Sequence, residues 1–353
     1  MKLDSFRQDN LLTDFKINVG ETQFSVHSVI MAEASNFFGV AINSYNSEEK
    51  KGKKLTLQYF DSNIVEIAIR FIYMRSLVIN DCSLGLLRFA DKYEITSLLN
   101  SFEKHYPELI NIENFHEYLS FSNNSNMKIL KLACLKFAAA NSDTIVKQDN
   151  RNILHDFNSR KVFEILTAAC SKIGDLEKKD DDNRFDNYLP NLLKFNDYMD
   201  VEFHLKDGIV RAHRVILATA SDIFLQCFQN KHDSFKFEMD KYCNVTVNSV
   251  VNFIYNRKLN DENFTVELIE FAHEYKIQTL IAHLEQIPFR VINSKNVLEF
   301  YVIGGKIGLK NLMNSCIHFL SENKNEMKEI IASANYDTYI NDNEIVQLLL
   351  NIW

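Results

Sequence analysis

One stretch of 25 residues occurs twice in this chain, 186 residues apart, and that repetition limits the possible folds more than any other feature. DFKINVGETQFSVHSVIMAEASNFF runs from Asp14 to Phe38, and DVEFHLKDGIVRAHRVILATASDIF from Asp200 to Phe224. Without a gap, the copies share Asp14/Asp200, His27/His213, Val29/Val215, Ile30/Ile216, Ala32/Ala218, Ala34/Ala220, Ser35/Ser221 and Phe38/Phe224. A repeat of this kind implies two copies of one folding unit.

The hydropathy pattern says what that unit is. Phe15, Ile17 and Val19 alternate with Lys16 and Asn18, Gly20-Glu21 turns the chain, and Phe24 and Val26 resume the alternation, which predicts a half-buried hairpin. The apolar run Val29 to Ala32 predicts a helix, and Ser35 is placed to cap a second one carrying Phe37 and Phe38. Ahead of the hairpin, Leu3, Phe6, Leu11 and Leu12 predict an amphipathic helix over Leu3 to Thr13, with a counterpart at Tyr188 to Met199.

The repeat continues at a changed offset. Phe71-Ile72-Tyr73 and Phe253-Ile254-Tyr255 lie 182 residues apart and end helices expected to begin near Asp61 to Asn63 and Asn248. The four-residue difference falls in the polar run Asn43 to Lys54, read as a solvated loop ahead of a short strand at Leu55 to Leu57. FADKYEITSLL, Phe89 to Leu99, matches FAHEYKIQTLI, Phe271 to Ile281, and these residues are expected in the core. Asn114 to Asn141 and Asn296 to Asn323 keep the same offset and have helical periodicity. Nine Gly and three Pro in 353 residues favour a mainly helical α+β chain.

Composition excludes several functions. A net charge of -8 opposes binding to a phosphate backbone, so nucleic acid is not expected as a partner. No stretch reaches the roughly 18 apolar residues of a membrane span, and MKLDSFRQDNLL is no secretory signal, so cytosol or nucleus is the expected location. Six cysteines without a C-x-x-C pair suggest reduced, mostly buried thiols.

Catalytic chemistry finds little support. His27 and His213 recur with Asp14 and Asp200, as general acid/base pairs would, but no nucleophile motif or metal-ligand spacing accompanies them. Hydrogen-bonded structural histidines and strand-starting aspartates are the simpler reading. Gly304, Gly305 and Gly308 around Lys306 resemble a phosphate loop, but they follow a helical period, so a helix–helix turn is expected. No enzyme, metal or cofactor is expected.

The D-x-x-x-x-V hairpin followed by F-x-x-H-x-x-x-x-A-x-x-S-x-x-F resembles the opening of a BTB/POZ domain. Asp14, His27, Ala32, Ser35 and Phe38 fit it, and so do Asp200, His213, Ala218, Ser221 and Phe224. The F-I-Y triplets and A-x-x-Y-x-I-x-x-L at Ala90 to Leu98 extend the likeness, and the helices behind each copy resemble a BACK domain. The resemblance implies two BTB/POZ folds, each with an all-helical extension: 1–110 and 111–170, a charged linker at 171–186, then 187–293 and 294–353. It implies protein partners, with BTB–BTB pairing within or between chains through the leading helix and the strand-one Asp.

The leading role it implies is an adaptor bridging a cullin-3 scaffold to a ubiquitination substrate. The alternative is a scaffold whose two BTB domains pair as an intramolecular pseudo-dimer without cullin. Cullin-binding members carry a hydrophobic residue, any residue, then Glu in the loop after the Phe38 helix. Here Tyr45 and Glu48, beside Glu49, are one residue too far apart, as are Phe235 and Glu238 in the second copy. The longer first loop makes Tyr45, Glu48 and Glu49 the expected cullin contact.

Overall fold

The computed structural model describes residues 2–46, 54–141, 189–229, 235–286 and 291–323. The chain divides into two compact units, residues 1–188 and 189–353.

In the first unit, α1 (Lys2–Gln8) leads into the hairpin β1 (Phe15–Val19) and β2 (Thr22–Val26). α2 (Ser28–Ala34) and α3 (Asn36–Asn46) follow, then β3 (Lys54–Leu57) and α4 (Ser62–Met74). The domain closes with α5 (Leu84–Lys92), α6 (Thr96–Phe102) and the single turn α7 (Tyr106–Leu109). A helical pair, α8 (Phe115–Asn124) and α9 (Lys128–Ala140), comes behind it.

β1 is the middle strand, antiparallel to β2 and parallel to β3. Its period-two alternation turns Phe15, Ile17 and Val19 into the core and leaves Lys16 exposed. The core is completed by one face each of α2, α4, α5 and α6: Ile30, Met31, Ile72, Tyr73, Phe89, Ile95 and Leu98 are all buried. The recurring Ala90, Tyr93 and Ile95 thus belong to the core, as their repetition at fixed spacing suggested.

The second unit repeats this order with α10 (Leu189–Leu192), β4 (Val201–Leu205), β5 (Gly208–Ala212), α11 (Arg214–Ala220), α12 (Asp222–Phe228) and β6 (Phe235–Glu238). α13 (Asn244–Asn256), α14 (Val266–Glu274), α15 (Gln278–Leu284), α16 (Val297–Ile307) and α17 (Lys310–Glu322) complete it. The sheet has the same order and directions, β5-β4-β6. The expected mainly helical α+β class with two repeated folds is what the chain adopts.

Four local expectations are corrected. The run from Asn43 is not loop throughout, because α3 continues to Asn46 and is 11 residues long against 7 in α12. α13 starts at Asn244 rather than near Asn248, because Glu267 and Asp207 accept backbone N–H groups of Cys243 and Asn244 at 2.6 and 2.8 Å, which fixes the helix start earlier. The leading helix ends at Gln8, with Asn10 and Leu12 in left-handed conformations at φ 55 and 57°. Its counterpart is one turn plus a 3-10 turn at Asn196–Tyr198.

Gly304 and Gly305 lie inside α16 and Gly308 caps it at φ 83°, so the glycine-rich run is the helix–helix turn its period suggested. The charged linker at 171–186 lies outside the described residues, as do large parts of the two helical extensions expected at 111–170 and 294–353.

Candidate functional site

The residues that recur in both copies are brought together as a set of ties between elements distant in sequence, with the His, Ser and Phe buried and the Asp nearer the surface. Asp14 sits just ahead of β1 and turns its carboxylate to the start of α2, where it accepts Ser28 N–H at 2.7 Å and Ser28 Oγ–H at 2.5 Å. Asp200 does the same at the start of α11, accepting Arg214 N–H at 2.7 Å and Arg214 Nε–H at 2.6 Å. A carboxylate at a helix N-terminus satisfies an orphan N–H and meets the positive end of the helix dipole. The cap comes from the strand because His27 and His213, at the N-cap positions, make no side-chain capping bond.

Both histidines are committed elsewhere. His27 Nε2 is 2.9 Å from the Leu11 carbonyl, which can only accept, so Nε2 carries the proton. Nδ1 then accepts the Tyr73 hydroxyl at 2.8 Å, and the same hydroxyl accepts His27 backbone N–H at 2.8 Å. His213 repeats the arrangement with the Phe195 carbonyl at 3.2 Å and Tyr255 at 2.7 and 3.1 Å. The latch joins the chain ahead of the sheet, the hairpin exit and the end of the long helix α4 or α13. Burial raises the Tyr255 phenol well above its ordinary range, so the hydroxyl keeps the proton it donates.

Ser35 and Phe38 tie a third element in. Ser35 Oγ–H donates to the Tyr93 carbonyl at 2.5 Å and accepts Phe38 N–H at 3.2 Å, and the Phe38 ring stacks on Tyr93 at 5.6 Å. Ser221 donates to the Tyr275 carbonyl, accepts Phe224 N–H at 3.2 Å, and Phe224 stacks on Tyr275 at 4.8 Å. Asp, His, Ser and Phe are thus fastenings of the fold in each unit.

No reaction follows from this geometry. Both ring nitrogens of each histidine and both carboxylate oxygens of each Asp are engaged inside the unit. Among the described residues no group of three His, Cys, Asp or Glu is arranged to hold a metal ion, and no helix is long and apolar enough to cross a membrane. The partners that the pattern alone did not pair with histidine are Tyr73 and Tyr255. The signal was present, since F-I-Y and His recur in both copies, but hydropathy spacing does not link residues 46 positions apart.

What remains available to another molecule lies on the surface. In the first unit Phe37 is 38% exposed, Val40 63% and Tyr59 87%. Phe37 packs against Tyr93 at 5.0 Å, Tyr93 against Phe60 at 5.8 Å, and Lys92 Nζ lies over the Tyr59, Phe60 and Tyr93 rings at 4.8, 5.4 and 5.7 Å. The equivalents in the second unit are Ile223, Gln226, Lys241 and Glu274, with Tyr242 in place of Phe60. There Lys241 Nζ reaches Glu274 at 3.2 Å and Glu270 at 3.6 Å, and the Tyr242 hydroxyl donates to Glu274 at 2.6 Å.

Tyr45 falls in the last turn of α3, while Glu48 and Glu49 lie outside the described residues. Phe235 and Glu238 are not a loop motif: they belong to β6, where Phe235 packs on Phe228 and Phe237 while Glu238 takes the opposite face, its carboxylate 4.0 Å from His204 Nδ1. A strand's alternation sends the two side chains apart.

A family model of the BTB/POZ domain matches residues 3–110 and again 189–288, together more than half of the chain. The chain belongs to the BTB/POZ family. Both BTB segments contain the full set of ties described above. BTB domains are interaction modules, which indicates a protein-interaction role.

Among curated relatives, the BTB and MATH domain-containing protein 42 of Caenorhabditis elegans is 25% identical over 181 residues, covering 50% of this chain and 43% of its own. Kelch-like protein 8 of the same organism is 24% identical over 163 residues, covering 45% and 24%. The chain thus spans less than half the length of these relatives. Of solved structures, the BTB domain of zebrafish PATZ1 is similar at 20% identity with a TM-score of 0.26, covering 30% of this chain and 86% of that one.

Proposed function

We propose that this BTB protein is a non-enzymatic adaptor that holds a cullin-3 scaffold on its first BTB unit and presents a ubiquitination substrate through the rest of the chain. The observation that carries the reading is the exposed apolar set of Phe37 and Val40, one turn apart on α3, and Tyr59, which lies under Lys92. Partly exposed aromatic and aliphatic side chains at one face are the groups that gain most from a protein partner, and aromatic anchors dominate the energetics of such contacts. Tyr45 lies in the last turn of the helix that carries Phe37 and Val40, and Glu48 and Glu49 come just after it in the sequence.

The helical pairs behind each BTB unit are read as the start of BACK-like extensions. Their first helices are set alike: Asn114 Oδ1 accepts Asn111 N–H and its Nδ2 donates to the Leu109 carbonyl, while Asn296 makes the same pair of bonds to Asn293 and Val291. Such an extension sets where a substrate would be held relative to the scaffold.

The reading is tested by mixing the full chain with an N-terminal fragment of cullin-3 and measuring complex formation by analytical ultracentrifugation. A saturable complex is expected, and its absence at tens of micromolar would remove the ligase role. The chain would then be left as a scaffold whose two BTB domains engage each other.

A further inference from the structure

We infer that the chain takes one scaffold molecule, on the first unit only, because the second unit has inverted the charge of the same face. Resting on the docking reading above, this assigns chemistry to the partner: an apolar side chain seated on Phe37, Val40 and Tyr59, with a carboxylate against the cationic edge.

That edge is built from the exposed face of α5. Arg88 and Lys92 are one helical turn apart and both exposed, so they lie on the same face, while Asp91 is occupied by the Ser125 hydroxyl at 2.7 Å. At the equivalent positions of α14 stand Glu270 and Glu274. A partner carboxylate attracted to Arg88 and Lys92 would meet two carboxylates there, and Lys241 offers no relief because it is already shared between them. Discrimination by like charge against the wrong site is as effective as attraction at the right one.

The apolar half of the face is reduced in parallel, with only Ile223 kept apolar in place of Phe37. Val40 becomes Gln226, and the exposed Tyr59 becomes Lys241. Backbone geometry follows the same division: Tyr59 is held at φ 73°, a conformation costly for an aromatic residue, whereas Lys241 has no positive φ. Among the described residues of the first unit, Tyr59 is the most exposed large apolar side chain, and the strain at it is consistent with display.

Calorimetric titration of the full chain with the cullin-3 N-terminal fragment tests this. One fragment per chain is expected, with Lys92→Glu and the separate surface variant Val40→Gln each weakening binding at least tenfold. Glu274→Lys in the second unit should leave the first binding event unchanged within twofold. Two fragments per wild-type chain would overturn the inference while leaving the docking reading intact, whereas binding that survives Lys92→Glu and Val40→Gln but changes with Glu274→Lys would move the site to the second unit and overturn both. No binding by any form would overturn both.

Discussion

At the start of their long helices the two units meet the same demand with different chemistry. In the second unit Glu267 reaches from α14 to the first turn of α13, accepting Cys243 N–H at 2.6 Å, Thr246 Oγ–H at 3.0 Å and the Cys243 thiol at 3.2 Å. In the first unit the equivalent of Glu267 is Gly85 and that of Thr246 is Ile64. A Cβ on Gly85 would lie 2.7 Å from Ile64 Cδ1, so an apolar side chain fills the space that Glu267 uses in the other copy. Polar partner and polar partner, or apolar side chain and glycine, each make a consistent pair, whereas a mixture would bury an unsatisfied group. The difference teaches that the fold constrains pairs of positions rather than single ones, and leaves the surface between fastenings free to change.

The cores show the same freedom on a larger scale, and this gives the largest expected effect. Phe224 contacts the rings of Phe203, Phe228, Phe237 and Tyr275, whereas Phe38, its equivalent, contacts those of Phe37 and Tyr93. The positions of Phe203 and Phe228 are held in the first unit by Ile17 and Ile42. Phe224→Ala should cost the second unit about 3–5 kcal/mol, and Phe38→Ala should cost its own unit less, since each aromatic pair adds about 0.5–1.5 kcal/mol beyond buried area. Urea titration followed by hydrogen exchange resolved to each unit measures both. Equal losses would mean that ring count does not distinguish the two cores.

The His–Tyr latch should behave identically in the two units. Tyr73→Phe and Tyr255→Phe each remove the hydroxyl that serves one ring nitrogen and one backbone N–H, both buried. A loss of about 1–3 kcal/mol is expected in each unit, with the two values agreeing within about 0.5 kcal/mol. In the first unit the Arg7 guanidinium also lies over the Tyr73 ring at 5.6 Å while pairing with Asp4 and Glu66 at 2.8 and 2.9 Å. A larger loss from Tyr73→Phe than from Tyr255→Phe would show that α1 takes part in the latch.

Much of this was legible in the residues themselves. The hairpins could be read from strict alternation at Phe15 to Val26, and the cap at Ser35 from its place between two apolar runs. Repetition carried the family likeness, because Asp, His, Ser and Phe recur where packing demands them. The His–Tyr latch and the Glu267 cap escaped because they join residues 46 and 24 positions apart through side-chain reach, which no periodicity records. The end of α3 escaped for a different reason. Asn43, Ser44 and Asn46 have low helix propensity, and the buried Ile42 and its neighbours outweigh it. The proposed docking face had only a loop motif in the wrong register to suggest it, since exposure of Phe37, Val40 and Tyr59 is a property of the folded surface.

The smallest expected difference lies at the inverted charge itself. The Tyr242 hydroxyl, followed by Lys241, holds the Glu274 carboxyl below its usual range. A carboxylate whose folded pKa is depressed contributes stability that is present above its unfolded value, here about 4.5, and is lost as pH falls toward and through the folded one. With the Glu274 side chain 48% exposed, solvent screening limits that contribution to under about 1 kcal/mol. Lys92 stands at the same position in the first unit, which has no carboxylate there, so this contribution to acid sensitivity belongs to the second unit alone. Acid titration between pH 6 and 3, monitored by hydrogen exchange in each unit, should show a small destabilisation of the second that Glu274→Gln removes. If Glu274→Gln leaves that unit's acid response unchanged, the hydroxyl and ammonium beside the carboxylate are only neighbours, and the inverted charge makes no difference to stability.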